Sequence, residues 1–574
     1  MVISQPNRIS IRVFLSKLPK DNCMKKSVLN ILFFLLAFSN FSYAQSSPWV
    51  WGRGSTGGDA EGYAVCAGPS GEVFMSGYFD ETSVTFGSTV LNNAGPSGVP
   101  DIFLAKYAAA GNFQWAVQAG SSNIDMVSSL SCDKSGNVYL TGNFRGSSIT
   151  FGSTVLVSSG NYDAFVAKYD PAGNPVWAKK IGGLQDEIGM SIYLNAADEV
   201  CVTGNFSSTS ITVGSTTLTN AAGGTDDIFI VKYDSQGNLI WAKSAGGTAS
   251  DVPYCITSDP SGNISISGSF KSSSLTFGTT TLAAVSMKDA FVASFDAAGN
   301  ALWAKSTGGA GDEVAWSVSA DPNGNVFMGG WFENSIALAN TTLTSAGFKD
   351  VFIAKFDPSG NALWARSAGG ASSESGFSLA ADLTGNVYFS GSIVDSIVFP
   401  PITFTPDTGA LDPLYMVEFD PNGNVMCGST LSSGGDDNYA ICTDNSGNAF
   451  LASDYITTTP FIVGPDTFPL DPTAENAYVA KFSCASQVGV HASYVNSGTE
   501  IFPNPSNGKF TIKDSSGEKI ENVKIYNAMG ELVEEMQNGD SQLEMDLSDQ
   551  AKGLYFVCIE TKNGMDKMKI VVEH

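Results

Sequence analysis

Hydrophobic and polar residues alternate along most of this chain with the two-residue period of β-strands. Residues 326–332 form one such run, and similar runs recur from about residue 49 to residue 482. Turns of the form Asp-Pro-x-Gly separate many of the runs, because proline presets φ and glycine accepts a positive φ. No long segment has helical periodicity. The pattern therefore predicts an all-β protein made of short strands.

The strands belong to a repeat of 61 to 64 residues, marked by the motif Gly-Asn-x-x-Trp with Cys427 in the last such place. Each repeat contains four strand candidates, and each strand type occurs seven times. The repeats begin with a tryptophan strand at Trp49 and end at residues 477–482, the strand that elsewhere precedes it. Joining these ends completes one sheet and removes an open edge. We therefore predict a seven-bladed β-propeller over residues 45–484.

A targeting segment precedes the repeats. A basic region begins at Met24, residues 28–38 are apolar, and residues 42–44 fit a small-x-small cleavage site. We predict that residues 1–44 are a signal peptide, with Met24 as an alternative start of translation. The apolar stretch is too short to span a bilayer comfortably, and no later segment is apolar over a sufficient length. We expect no transmembrane segment in the mature chain.

Composition changes after the repeats. Residues 485–498 are small and polar, which is typical of a linker. Residues 499–574 contain a proline-rich turn followed by strand-like runs. This part of the sequence predicts a small C-terminal β-sandwich that folds separately from the repeats.

Composition also excludes several functions. The net charge of −26 would repel phosphate backbones and anionic lipid, so we expect no nucleic-acid partner. The two histidines, His491 and His574, lie outside the repeats. This excludes Ser-His-Asp and Cys-His catalysis and histidine-ligated metal sites in the repeats. We therefore expect no enzyme, no catalytic residue and no cofactor.

The nine cysteines lie far apart and form no Cys-x-x-Cys pair. Most of them fall within apolar strand-like runs, where a thiol packs as a small hydrophobic group. We interpret them as buried thiols and leave one or two disulfides open, because an exported chain can form them.

An acidic residue follows the tryptophan strand in each repeat, and equivalent loops of a propeller gather on one face. The residues are Asp59, Asp125, Asp186, Asp251, Asp312, Glu374 and Asp436. One interpretation is a ring that binds calcium or a polar ligand through carboxylate oxygens. The other is that each carboxylate accepts backbone N–H bonds and braces its own loop. Regular repetition favours braces, so we assign no metal and keep the seven residues as candidates for calcium.

Two resemblances follow from the motifs. The unit Asp-x-Phe-x-Ala-Lys-Tyr-Asp, then Gly-Asn-x-x-Trp-Ala, Gly-Gly and Gly-Asn-Val-Tyr-x-x-Gly, resembles the SBBP-type bacterial β-propeller repeat over residues 49–482. The runs at residues 502–510, 523–532, 553–557 and 568–572 resemble the type A C-terminal sorting domain of the type IX secretion system. The second resemblance implies type IX machinery as a partner and export through the periplasm. The first implies a fold but no single activity.

These observations predict a secreted or outer-surface protein that acts as a binding or scaffold module for a glycan or protein ligand. The repeated tryptophans are interpreted as packing residues, whereas Trp316 and Trp331 break the repeat and are better candidates for a ligand contact. Two alternatives stay open. One is a secreted glycan-active enzyme that uses carboxylates in the propeller channel, and the other is a structural component of adhesion or gliding.

Overall fold

The structure, a computed structural model, describes residues 48–574 with several gaps. The gaps are residues 339–340, 406–412, 432–439, 458–460, 470, 485–498, 505, 515–518, 528–531, 538–539, 562–563 and 573–574. The predicted signal peptide, the predicted linker and Asp436 lie outside the described residues. Within the described part every extended regular element is a β-strand, as the alternating pattern predicts.

The strands are numbered in chain order. The first are β1 (Trp49–Thr56), β2 (Ala60–Ala67), β3 (Val73–Phe79), β4 (Ser83–Phe86), β5 (Thr89–Asn92), β6 (Asp101–Tyr107), β7 (Phe113–Ala119), β8 (Asp125–Cys132), β9 (Val138–Arg145), β10 (Ser148–Phe151), β11 (Thr154–Val157), β12 (Tyr162–Tyr169), β13 (Pro175–Ile181), β14 (Glu187–Leu194), β15 (Val200–Phe206), β16 (Ser210–Val213), β17 (Thr216–Thr219), β18 (Asp227–Tyr233) and β19 (Leu239–Ala245). Next are β20 (Asp251–Ser258), β21 (Ile264–Phe270), β22 (Ser274–Phe277), β23 (Thr280–Ala283), β24 (Asp289–Phe295), β25 (Ala301–Ser306), β26 (Glu313–Ala320), β27 (Val326–Leu338), β28 (Thr341–Phe356), β29 (Ala362–Ala368), β30 (Ser375–Ala381), β31 (Val387–Ser392), β32 (Ile397–Phe399), β33 (Ile402–Phe404), β34 (Leu414–Phe419), β35 (Val425–Leu431), β36 (Ala440–Thr443), β37 (Ala449–Thr457), β38 (Phe461–Val463), β39 (Asp466–Phe468) and β40 (Asp471–Phe482). The last are β41 (Thr499–Phe502), β42 (Lys509–Asp514), β43 (Ile520–Tyr526), β44 (Leu532–Gln537), β45 (Gln542–Asp546), β46 (Gly553–Thr561) and β47 (Gly564–Val572).

Four-stranded antiparallel sheets follow one another along the repeats. Sheets 1 to 6 are β2-β3-β6-β7, β8-β9-β12-β13, β14-β15-β18-β19, β20-β21-β24-β25, β26-β27-β28-β29 and β30-β31-β34-β35. Sheet 7 joins the two ends of the repeat region in the order β36-β37-β40-β1, and β1 also contacts the hairpin β4-β5. In sheet 7, Trp49 of β1 lies opposite Phe482 of β40. This is the pairing that the complementary ends of the repeat region predict.

The first strand of each sheet is called its inner strand. The inner strands are β2, β8, β14, β20, β26, β30 and β36. Each one contacts the inner strand of the next sheet, and β36 contacts β2, so the contacts form a closed cycle. Serine hydroxyls join neighbouring inner strands: Ser129 Oγ accepts the N–H of Ile192 at 3.2 Å, and Ser378 Oγ accepts that of Ile441 at 3.0 Å. The arrangement is consistent with the blades of a propeller.

Tryptophans of the outer strands join neighbouring sheets at the periphery. Trp115 Nε1–H donates to the Pro171 carbonyl at 3.3 Å, and Trp364 Nε1–H donates to the Pro421 carbonyl at 3.1 Å. Equivalent bonds are made by Trp177, Trp241 and Trp303. In sheet 6, Cys427 occupies the position that tryptophan occupies in sheets 1 to 5. It forms a disulfide with Cys484, which lies just after β40. A covalent bond therefore replaces the indole contact at this junction.

A second disulfide, Cys66–Cys132, joins the inner strands β2 and β8. Four cysteines therefore form the two disulfides that the sequence left open, and the buried-thiol interpretation does not hold for these four. The described cysteines that remain thiols are Cys201, Cys255, Cys442 and Cys558. Each disulfide joins two neighbouring sheets, so its two cysteines are 57 or 66 residues apart in sequence. A motif of closely spaced cysteines therefore does not indicate either bond.

The Asp-x-x-Gly-Asn segments form turns that are held by their own side chains. Asp321 Oδ1 accepts the N–H groups of Asn323 and Asn325 at 2.9 and 3.0 Å, and Asp321 Oδ2 accepts Asn325 Nδ2–H at 2.7 Å. Gly324 has a φ of 79°, which a residue with a Cβ rarely adopts. These aspartates are structural turn residues, as predicted.

The C-terminal part contains two antiparallel sheets, β41-β42-β45 and β44-β43-β46-β47. Phe510 and Ile512 of the first sheet and Ile525 and Val557 of the second belong to one buried apolar cluster. The two sheets therefore share a core of their own.

Candidate functional site

The acidic candidates divide into two groups in the structure. Asp125 and Asp251 are the first residues of inner strands, Glu374 directly precedes one, and all three are fully buried. Asp59, Asp186 and Asp312 lie one position earlier in their repeats and are only half-buried. These three acids therefore differ in burial from the other three described candidates, and a calcium site at the acidic ring stays a prediction.

The buried acids at two of those junctions are the next residues along the chain, Glu187 and Glu313. Sheet 1 has Ala60 in the same place. In each Asp-Glu pair the glutamate, and not the candidate aspartate before it, is buried, because a shift of one position changes which side chain enters the junction between sheets.

A second set of buried carboxylates faces the first across the sheet junctions. Its members lie on the third strand of sheets 1 to 5 and are Asp101, Asp163, Asp227, Asp289 and Asp350. The backbone places the two sets side by side, because the N–H of Asp125 donates to the carbonyl of Pro100 at 2.9 Å and that of Glu313 to Lys288 at 2.9 Å. The sequence showed these aspartates only as markers of a strand start.

The junctions differ in how well the inner-strand acid is hydrogen-bonded. Asp251 accepts the N–H groups of Lys271 and Ser272 at 3.2 and 3.1 Å and the Ser272 hydroxyl at 2.8 Å, so it braces its loop. Glu187 accepts the N–H of Gly183 at 2.6 Å. Asp125 is hydrogen-bonded by the side chain and backbone of Ser121, and Glu313 by the backbone of Gly311. The hydrogen bonds of Asp251 and Glu187 are those that the loop-brace interpretation expects.

Burial raises the pKa of these carboxyl groups. Desolvation is the main cause, and repulsion from the facing aspartate adds to it. The pKa of Asp125 rises to about 8, that of Glu313 to about 8 and that of Glu374 to about 7. The facing Asp101 also has its pKa raised by burial, to about 6.

We expect the free energy of unfolding, measured with urea in the presence of EDTA, to fall between about pH 5 and about pH 8. Asp125 and Glu313 hold their protons up to about pH 8 when folded but titrate near pH 4 when unfolded. The folded state binds more protons in this interval, so its stability is lost as the pH rises. At about 1.4 kcal/mol per pH unit and group, the two groups together lose roughly 7 kcal/mol over this interval.

The control for this pH dependence is Glu313→Gln. Glutamine has nearly the shape of a protonated glutamate and cannot ionise, so this variant should lose less stability over the same interval. Stability of the wild type that rises between the two pH values would contradict the assignment of raised pKa values.

The closed cycle of inner strands surrounds a cavity of about 310 Å³ lined by residues of all seven sheets. Six inner strands have a β-bulge at the same position, where one residue, or two in sheet 5 (Ala315 and Trp316), is left out of the register with the neighbouring strand. The bulged residues are Tyr63, Ser128, Met190, Tyr254, Trp316 and Phe377. Tyr63 and Ser128 lie at the edge of the cavity. A β-bulge re-aims its side chain, and such bulges are frequent beside functional sites.

Three bulged side chains from successive sheets form a row of aromatic rings. The ring centroids of Tyr254 and Trp316 are 4.2 Å apart, and those of Trp316 and Phe377 are 6.2 Å apart. All three side chains are half-buried. Sequence analysis singled out Trp316 but missed the other two, although an alignment of the seven repeats would have shown that this position varies.

A cationic site lies in the same sheets. The Lys349 ammonium is 4.0 Å from the centroid of the Trp331 ring, and the Lys288 ammonium is 6.0 Å from it. Trp331 of β27 pairs with Val314 of β26. Val314 lies two residues before Trp316 in the same strand. The two tryptophans that break the repeat therefore belong to one region of sheet 5, with two positive charges beside it.

Asp59 has acidic neighbours beside a cavity of its own. It lines a second cavity of about 250 Å³ with Glu61, Asp80 and Glu475 at the junction of sheets 7 and 1. Asp59 Oδ1 accepts the N–H of Glu475 at 2.8 Å. Burial, together with repulsion from Asp59, raises the pKa of Asp80.

Comparison with known proteins identifies one end of the chain. Residues 500–573 match the secretion system C-terminal sorting domain. Proteins with this sorting domain are exported by type IX secretion to the cell surface or the medium, which confirms the predicted localisation. No helix in the described part of the chain has the length and apolar character needed to cross a membrane.

The region before the sorting domain has only distant relatives. The chain is similar to the uncharacterized WD repeat-containing protein L264 of Acanthamoeba polyphaga mimivirus, with 24% identity over 46% of this chain and 24% of that protein. It is 29% identical to the regulatory protein FlaEY of Caulobacter vibrioides over 24% of this chain and 15% of FlaEY. The Neurospora crassa Pan2 WD40 domain aligns with 76% of this chain and 97% of its own length, at 10% identity and a TM-score of 0.36. The matches thus span less than a quarter of the two curated relatives.

Proposed function

We propose that this exported protein is a seven-bladed β-propeller with SBBP-type repeats that binds an extracellular glycan at the mouth of its central channel. The observation that carries the proposal is the variation of the bulged residue among otherwise similar inner strands. The next residue along is a serine in four sheets, and it accepts an N–H from the neighbouring inner strand. The scaffold position repeats while the bulged position varies, as expected for a ligand contact.

The aromatic row and the lysines of sheets 4 and 5 suit a sugar ligand. Tyr254, Trp316 and Phe377 offer aromatic faces on which the apolar face of a sugar ring can stack. Lys288 and Lys349 are positive charges on a chain whose net charge is −26. A glycan with carboxylate or sulfate groups would gain Coulomb attraction at this place, so we expect acidic glycans to bind better than neutral ones.

We expect Trp316→Ala to raise the dissociation constant for the preferred glycan about tenfold or more, since loss of a central aromatic contact costs more than about 1.4 kcal/mol. The ligand would first be found on a glycan array with the exported protein, and its affinity would then be measured by calorimetry. Trp241→Ala is the matched control, because Trp241 is also half-buried but packs against the outer turn at Ala297. Equal affinities of the wild type and Trp316→Ala would refute the assignment of the site.

The described residues that line the central cavity include no aspartate or glutamate. A glycosidase would need two carboxylates beside the scissile bond. This favours a binding protein over a glycan-active enzyme that works in the channel. The enzyme alternative would have to use the second cavity, where Asp80 has a raised pKa and Glu61 lies nearby. Glycan cleavage that is lost in Asp80→Asn would support it. The adhesion or gliding alternative would require a defect of attachment or movement in cells that lack the protein.

A further inference from the structure

Sheet 6 carries an unusual pair of residues on its third and outer strands. In sheets 1, 2, 3 and 5 a lysine of the third strand lies opposite the tryptophan of the outer strand, as Lys355 lies opposite Trp364. In sheet 6 the same two places hold Glu418 and Cys427. The pair has therefore changed from an ammonium beside an indole to a carboxylate beside a sulfur.

A second sulfur comes from the neighbouring sheet 7. Cys484 follows β40, and its Cα lies 6.1 Å from that of Cys427, to which it is disulfide-bonded. The carboxylate of Glu418 and the two sulfurs lie within 4.8 Å of one another, and all three side chains are buried. The junction of sheets 6 and 7 therefore brings together three groups that bind metal ions when they are deprotonated.

The charge of Glu418 is not balanced as the charges in sheet 5 are. Lys355 forms an ion pair with the turn residue Asp321 at 3.2 Å, whereas Glu418 is repelled by the equivalent turn residue, Asp382. The side-chain amide of Asn386 donates to Glu418 Oε1 at 2.9 Å, although the equivalent amide in sheet 5 donates to Asp321. Within the described part of the chain, no lysine or arginine forms an ion pair with Glu418 or Asp382. A cation at this place would supply the charge that the lysine supplies in sheet 5.

We propose that reduction of the disulfide between Cys427 and Cys484 converts this junction into a zinc site, with the two thiolates and the carboxylate of Glu418 as ligands. A dithiol reduces the disulfide by exchange: it gives up two electrons and two protons, becomes a disulfide itself and leaves two thiols. Zinc then binds and releases the two thiol protons. Tetrahedral zinc with zinc–sulfur bonds of about 2.3 Å holds two sulfurs about 3.8 Å apart, so the sulfurs of a disulfide separate by less than about 2 Å.

Zinc is the preferred metal because the ligand set is mixed. Calcium and magnesium take oxygen ligands, so two thiolates disfavour both. Copper(I) takes soft sulfur ligands, so the carboxylate disfavours it, whereas zinc accepts sulfur and carboxylate oxygen alike. Three protein ligands leave the fourth tetrahedral position to water. Sheets 6 and 7 would then be joined by a disulfide under oxidising conditions and by a metal ion under reducing conditions.

The test uses the chain from residue 45 after removal of metals with EDTA. The wild type is reduced with a phosphine, which is then removed in the absence of air. Calorimetric titration with ZnCl₂ should show a site with a dissociation constant below about 10⁻⁶ M, and the oxidised wild type should lack this site. Cobalt(II) in place of zinc should give a sulfur-to-metal charge-transfer band and the visible bands of a tetrahedral ion.

Glu418→Gln should keep both thiols and weaken zinc binding by at least about tenfold, because the loss of a mere hydrogen-bond partner of a ligand already costs that much. Cys427→Ser should abolish the site. The matched control is the double variant Cys66→Ser and Cys132→Ser, which removes the other disulfide and should still bind zinc at this junction when reduced.

The comparison of the reduced and oxidised wild type needs no variant and remains decisive if Cys427→Ser fails to fold. Absence of zinc binding by the reduced wild type would overturn the proposal. Equal zinc affinities of the reduced wild type and Glu418→Gln would overturn it as well, and so would a loss of zinc binding in the folded double variant.

Discussion

A chain that lacks residues 47–57 should lose the cooperative thermal unfolding of the repeat region. Strand β1 supplies the outer edge of sheet 7, where it pairs with β40 from Trp49–Phe482 to Gly54–Tyr478. Its removal exposes the edge of β40 and takes Trp49 and Trp51 out of two apolar clusters. Loss of one buried tryptophan alone typically costs about 3–5 kcal/mol, so the loss of both approaches the whole stability of a typical domain.

The control is a chain that begins at residue 45, which lacks only the predicted signal peptide. Differential scanning calorimetry should give this chain a sharp transition and give the shorter chain a broad transition or none. An unchanged transition in the shorter chain would show that the ring does not depend on β1 for its closure.

Removal of residues 500–573 should prevent the protein from reaching the cell surface or the medium and leave it in the periplasm. These residues match the sorting domain, and they contain an apolar cluster of their own. The repeat region should therefore still fold without them. Cell fractionation and surface labelling would measure the distribution. If sorting depends on this domain alone, the amount of protein at the cell surface should fall at least about tenfold.

Trp316→Ala is the export control, because it changes the proposed ligand site and leaves the sorting domain intact. Its distribution should equal that of the wild type. Normal surface levels of the shortened protein would mean that another part of the chain directs export.

The repeat was predictable from the sequence because each sheet uses the same turns. Asp321 and its equivalents hold turns with their own carboxylates, and Trp115 and its equivalents bond the next sheet. Because these bonds occur at the same place in each repeat, the residues that form them recur at a fixed spacing in the sequence. The pairing of β1 with β40 was predictable for the same reason, since the missing strand at one end is the extra strand at the other.

The candidate site was less predictable because it depends on register and on contacts between sheets. Glu187 and Glu313 are buried and their neighbours Asp186 and Asp312 are not, a difference of one residue that alternation alone does not decide. The bulge that places Trp316 also interrupts the two-residue period. The disulfides join residues that meet only when neighbouring sheets pack together.

The disulfide between Cys427 and Cys484 has a mechanical consequence. Cys484 is the last described residue before the predicted linker to the sorting domain, and its sulfur is bonded to β35 of sheet 6. A tension applied to the chain beyond residue 484 passes through this covalent bond into sheet 6 as well as along the backbone into β40. Peeling of β40 from β1 and β37, one hydrogen bond at a time, would otherwise need little force. If the protein is pulled by its C-terminal domain, the force is therefore shared by sheets 6 and 7. It does not act on the edge of sheet 7 alone.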